Sequence, residues 1–168
     1  MFCYRITKYD PLNRDSLGTY IKDEWTSFSD IGKIFEDSIF TIQDYQQVED
    51  VYIQSILLFM DCLNLNQLCI TSLQKNSKPL ENSLSSSIMT DVYNSLKNGK
   101  FISRKLINII ARLALRENLW CKLETEKMYV HFGYDYYMYI GSQEDCIATV
   151  KKIEKLGLFI EPYKSPHL

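Results

Sequence analysis

The chain reads as an α+β fold: a single domain, residues 1–168, with a mostly antiparallel sheet and helices packed on one face. Three observations lead there. In residues 127–141, Met128, Val130, Phe132, Tyr134, Tyr136, Met138 and Ile140 alternate with Tyr129, His131, Gly133, Asp135, Tyr137 and Tyr139. A period of two with aromatic and branched side chains belongs to a strand or hairpin, and its fully apolar side must meet a core. In residues 43–63, Tyr45, Val48, Tyr52, Ile56, Phe59, Met60 and Leu63 recur at threes and fours, while Asp44, Gln47, Asp50 and Gln54 take the other face, as an amphipathic helix requires. No internal repeat or interdomain linker interrupts the 168 residues, and a domain of this size buries roughly 70% of its unfolded surface.

The elements follow in order. Residues 2–9 form a first strand, stopped by Asp10-Pro11, and 18–21 a short return strand. Ser27 or Ser29 caps a short helix ending near Phe35. Thr41 with Asp44 makes a capping box with a shortened acid, opening the helix at 43–63, which Asn64-Leu65-Asn66 breaks. Residues 67–73 read as a strand. The stretch 74–87, with Asn76, Pro79, Asn82 and a run of three serines, reads as a mobile loop. A helix over 88–98 stops at Gly99, and Ser103 caps a second at 104–116 with Leu106, Ile109, Ile110 and Leu113 inward. A strand at 119–124 leads into the aromatic segment, bent at Gly133. Ser142 with Asp145 opens a last helix, with Ile147, Val150, Ile153 and Leu156 inward and Gly157 at its end. A final strand at 158–161 precedes a tail containing Pro162 and Pro166.

Composition narrows the function classes. No apolar run reaches the ~18 residues of a membrane span, and the N-terminus lacks the basic-then-apolar order of a secretory signal. Cys3, Cys62, Cys69, Cys121 and Cys146 are odd in number, scattered and without a CxxC pair, so buried free thiols in a reducing cytoplasm are expected. No metal is expected, because zinc needs about four ligands at short recurrent spacings. Isolated glycines exclude a phosphate cradle, so no cofactor is expected. The sequence is net −2, but residues 1–62 hold eleven acids against five bases, while residues 71–123 hold three against nine. An acidic face attracts basic proteins and repels nucleic acid.

Three constellations carry the functional alternatives. His131 and Asp135 suggest proton transfer, yet four residues along a strand span about 13 Å, and a strand histidine satisfied by a tyrosine explains the residue better. Arg104, Lys105, Asn108, Arg112 and Arg116 stripe the helix at 104–116, as a phosphate-contacting surface would, although a solvated outer face accounts for them better. Asp23-Glu24-Trp25 places a tryptophan beside two carboxylates, which fits solvated helix ends and equally a protein interface facing a basic partner.

Three segments, Tyr4-Arg5-Ile6-Thr7-Lys8-Tyr9-Asp10-Pro11, Asp23-Glu24-Trp25-Thr26-Ser27-Phe28-Ser29-Asp30-Ile31-Gly32 and the run from His131 to Gly141, together resemble small bacterial immunity proteins encoded beside polymorphic toxins, including those of contact-dependent growth inhibition systems. The resemblance covers both ends of the chain and not residues 76–118. It implies a cytoplasmic, non-enzymatic protein that binds one cognate toxin domain, often a cationic nuclease, and covers its active site or substrate groove. On that reading Asp23, Glu24, Trp25, Asp30, Glu36 and Asp37 contribute to toxin binding, with Tyr137 and Tyr139 as second contacts. No nucleic acid, membrane, metal or cofactor is implied. The alternative is a nucleic-acid-binding module using the helix at 104–116.

Overall fold

The aromatic run folds as a hairpin at the centre of a large antiparallel sheet. The computed structural model describes residues 1–76 and 86–168. In it β1 (Phe2–Thr7), β4 (Gln67–Lys75), β5 (Phe101–Ser103), β6 (Leu119–Glu124), β7 (Met128–Phe132), β8 (Met138–Ser142) and β9 (Phe159–Pro162) form one sheet in the order β5-β4-β6-β7-β8-β1-β9. Every pairing is antiparallel, and β1 lies between β8 and β9. The expected α+β architecture is the one observed, with α1 (Ile42–Cys62), α2 (Ser87–Ser95), α3 (Arg104–Leu115) and α4 (Ile147–Lys155) beside the sheet. Of the loop expected at 74–87, residues 77–85 lie outside the described residues.

Alternation decides which side of the sheet is apolar. Met128, Val130 and Phe132 of β7 and Met138 and Ile140 of β8 join Tyr52, Ile56, Phe59 and Met60 of α1 and Ile107, Ile110 and Leu113 of α3 in one core. Tyr129, His131 and Tyr139 take the opposite side. Five residues, 133–137, separate the two strands, with Gly133 N–H bonded to Tyr137 O and Tyr137 N–H to Tyr134 O. The single alternation expected across the run therefore breaks here: Tyr134 is 88% exposed, while Tyr136 turns into the core.

Helix α1 starts as its sequence requires. Asp44 N–H donates to Thr41 Oγ1 (3.2 Å) and Thr41 N–H to Asp44 Oδ2 (3.0 Å), so two N-terminal donors are satisfied reciprocally. Other expectations are corrected. Residues 27–35 are not a helix; a single 3-10 turn at Phe28–Asp30 passes into a hairpin of β2 (Ile34–Phe35) and β3 (Ser38–Ile39). The return strand at 18–21 reduces to one bridge between Arg14 and Tyr20. Ser142 ends β8 rather than opening a helix, and α4 begins five residues later, at Ile147 after Cys146. In α4, Ile153 is fully buried, but Ile147 is 55% exposed and Leu156 40% exposed. Five thiols were expected; instead Cys62, at the end of α1, and Cys146, ahead of α4, form a disulfide, leaving Cys3, Cys69 and Cys121 free.

Candidate functional site

The acidic segments sort into three environments. Trp25, expected as an interface anchor, is partly buried: its ring stacks on Phe40 (4.6 Å between centroids) and meets Tyr136 edge-on (4.8 Å). Lys8 Nζ lies 4.3 Å over the same ring and 3.0 Å from Glu24 Oε2. Burial pulls the Lys8 ammonium below its ordinary pKa, against the opposing pull of Glu24. Glu24 also accepts a hydrogen bond from the Tyr20 hydroxyl. Asp30 is buried as well. Its Oδ2 accepts from Thr26 N–H (2.7 Å) and Ser27 N–H (3.0 Å), and its Oδ1 from Lys33 Nζ (2.7 Å). Burial alone would raise its pKa; the lysine and the two amides outweigh it and hold the carboxyl below its usual value. Trp25 and Asp30 therefore build the site from beneath.

The hairpin carries the exposed acids. Glu36 and Asp37 occupy the two-residue turn between β2 and β3, both with positive φ (46° and 64°), the pattern of a type I′ turn. Ile34 and Ile39 face each other across it, 67% and 63% exposed, while Phe35 packs edge-on against Phe40. Asp23 is exposed too. Among the described residues Asp23, Glu36 and Asp37 make no ion pair, whereas Arg5 and Arg14 pair with Glu161, Lys8 with Glu24 and Lys33 with Asp30. Of the five bases in residues 1–62, four are thus matched by carboxylates, and the unmatched acids give this half of the chain its outward sign.

Glu24 and Tyr137, far apart in sequence, line one cavity of about 380 Å³ with Arg5, Arg14, Tyr20 and Asp135. Arg14 sits in no periodic pattern from which this could be foreseen. Arg5 was visible as a polar position on an otherwise apolar strand.

Tyr139 and His131 lie on the outer face of the sheet, covered by residues 163–168. Tyr139 is 7% exposed and touches the rings of Tyr163 (5.9 Å) and His167 (6.0 Å), so it is no surface contact. His131 pairs with Glu124 and Ser165, not with Asp135. Its Nε2 is 3.0 Å from Glu124 Oε1 and its Nδ1 2.8 Å from Ser165 Oγ. Burial lowers the imidazole pKa despite the carboxylate. The neutral ring then gives its Nε2 proton to Glu124, and Nδ1 accepts the Ser165 hydroxyl. Serine, imidazole and carboxylate in series have the order of a hydrolytic relay. But His131 is fully buried and Ser165 4% exposed, so no substrate carbonyl reaches the hydroxyl. The three groups latch the tail.

The basic helix is spent on structure. Arg104 pairs with Asp61 (2.6 Å), Arg112 with Glu49 and Asp50, and Arg116 bonds Glu49 through Nε (2.7 Å) and Nη2 (2.6 Å). Glu49, fully buried in the middle of α1, is the polar residue that the helical pattern concealed. Lys105 is left as an exposed base on that stripe, too little for a phosphate-tracking surface. Among the described residues no group of three His, Cys, Asp or Glu side chains is placed to hold a metal ion, and no helix is long and apolar enough to cross a membrane. Comparison with known proteins gives no matching family model, no matching curated protein and no matching solved structure.

Proposed function

We propose that the chain is an immunity protein that binds a cognate bacterial toxin domain, a basic nuclease, and neutralises it by covering the active site or substrate groove. The observation that carries this reading is the hairpin at residues 32–40. It presents two carboxylates, Glu36 and Asp37, that make no ion pair among the described residues, between two exposed isoleucines, Ile34 and Ile39. Carboxylates on a narrow tip substitute for phosphates in a cationic groove, and flanking aliphatic groups exclude water as it seats. Trp25, Phe35 and Phe40 hold the hairpin to the core, which lowers the entropy lost on docking. Inhibition of this kind needs no catalytic group in the inhibitor.

The site of action is the cytoplasm, where the toxin's substrate resides; this requires the fold to tolerate reduction of Cys62–Cys146. The test uses the C-terminal domain of any large secreted protein found encoded beside this one. Cells producing that domain survive when this chain is co-expressed. Purified, the two form a complex that buries roughly 1,600 Å² in total. Glu36→Lys with Asp37→Lys slows association at least tenfold in low salt, and the difference shrinks as salt is added. No rescue and no complex with any toxin encoded nearby defeats the reading; rescue with unchanged association by the double reversal keeps the function and moves the interface elsewhere.

A further inference from the structure

Residues 163–168 lie across the outer face of the sheet, and side chains rather than a strand ladder hold them there. Tyr163 N–H donates to Cys3 O (3.0 Å), the one main-chain hydrogen bond from this segment to the sheet among the described residues. Beyond it the handles are few. The Arg5 guanidinium sits over the Tyr163 ring (4.4 Å), Ser165 Oγ meets His131 Nδ1 (2.8 Å), and Lys122 Nζ donates to His167 O. The His167 ring rests edge-on against Trp120 (5.6 Å) and Tyr139 (6.0 Å). Lys164, Pro166 and Leu168 are exposed. A segment so lightly held opens at a fraction of the free energy of global unfolding. Its opening wets His131, which is fully buried beneath it.

We propose that residues 163–168 form an acid-released strap. When His131 and His167 take up protons it lifts, baring Tyr129, Tyr139 and Trp120, while the sheet and its core stay folded. The closed form is built around a neutral His131. Its Nε2 proton goes to Glu124 Oε1, and its Nδ1 lone pair receives the Ser165 hydroxyl, whose oxygen already accepts His167 N–H (3.2 Å). A second ring proton turns Nδ1 into a donor, and the Ser165 hydroxyl proton then loses its acceptor. Titratable groups face the two rings from several elements. Glu124 and Lys122 project from β6, and Glu124 is shared with the Thr71 hydroxyl of β4. Tyr129 of β7 stacks on His131 (4.4 Å), Tyr139 of β8 meets His167 and Tyr163, and Arg5 and Cys3 of β1 meet the strap at Tyr163. Of the charged groups acting on His131, Glu124 favours the charged ring, while Lys122 and His167 join burial in opposing it; burial and Lys122 oppose it at His167. In the lifted form both rings regain water and the ordinary pKa of 6.5. That form therefore binds more protons, and it gains on the closed one as pH falls below 6.5.

Amide exchange of the full chain, followed by NMR at pH 7.5 and pH 5.0 and corrected for the intrinsic rate, tests the strap. Protection of the Tyr163 and His167 amides falls at least tenfold between the two conditions. At both it stays at least tenfold below that of Ile53 and Ile56 in the middle of α1, which marks opening without global unfolding. His131→Gln, which cannot take the proton, shrinks the fall at least threefold. Should that variant fail to fold by circular dichroism, His167→Gln within the strap decides, with the fall at least halved. Equal protection in strap and α1 means that the strap opens only with the whole molecule, and overturns the proposal. So does strap protection independent of pH, or a fall unchanged in the deciding variant.

Discussion

Glu36 and Asp37 hold backbone angles that asparagine and glycine adopt at much lower cost. A left-handed conformation costs an ordinary L-residue roughly 1–2 kcal/mol, which falls on Glu36, while the short polar side chain of Asp37 tolerates it better. Glu36→Asn with Asp37→Gly therefore raises the unfolding free energy measured in urea by about 1 kcal/mol in all, while weakening capture of the proposed basic partner. Stability and binding moving in opposite directions is the expected outcome, and equal movement of both would contradict the role given to the tip. Gly141 is a residue of the contrary kind. The Tyr129 ring lies directly over it, and any Cβ there would enter the ring. Gly141→Ala is expected to destabilise by about 1–3 kcal/mol, read by thermal unfolding. His131 and His167 provide a pH signature. Burial holds both below the ordinary histidine pKa of about 6.5, with Lys122 opposing protonation in each and Glu124 favouring it at His131. The unfolded chain then binds more protons than the folded one, so stability is lost as pH falls below 6.5, until the folded-state pKa values are passed. His131→Gln with His167→Gln flattens the urea midpoint between pH 7 and pH 5; a slope identical to that of the parent protein would remove the histidines as its cause.

Between elements, α1 and α3 are joined by a buried charge as well as by apolar contact. Glu49 is fully buried and bonded to Arg112 and Arg116. Removing one partner of such a group leaves the other unmatched at a cost of about 3–5 kcal/mol. Glu49→Gln should lower the chemical unfolding midpoint accordingly, with far-UV dichroism unchanged in native buffer. This level also shows what the sequence discloses. α1, its capping box and the alternation of β7 and β8 were legible because each is written in side chains within a few residues of one another. Residues 32–40 were not: β2 and β3 are two residues each, too short for a period, and Glu-Asp is not a usual type I′ pair. β5, three residues long, escaped for the same reason. Of the candidate interface, Asp23, Glu36 and Asp37 are exposed as a charge reading expects. Trp25, Asp30 and Tyr139 are not, since a residue's type says nothing about which segment covers it. Glu124 and Ser165 reach His131 across the sheet and from the tail, a proximity that no local pattern encodes.

At the scale of the molecule, one covalent tie spans the fold. Cys62 and Cys146 are 84 positions apart, and closing a loop of that length in the unfolded chain is worth about 4.5 kcal/mol in the chain-entropy account. Dithiothreitol, or Cys62→Ser with Cys146→Ser, is expected to lower the unfolding free energy by up to that amount, measured from urea midpoints with the oxidised protein as reference. An unchanged midpoint would mean that the bond does not form in solution.

The place of β1 between β8 and β9 has a consequence for synthesis. β1 finds its two neighbours only in β8 and β9, far along the sequence, and long-range pairing of this sort is slow to form. Until residues 138–162 have been made, residues 2–7 remain without either partner. On the proposed reading, copies still lacking those strands would give a cell no protection, and a standing reserve of folded ones would be needed.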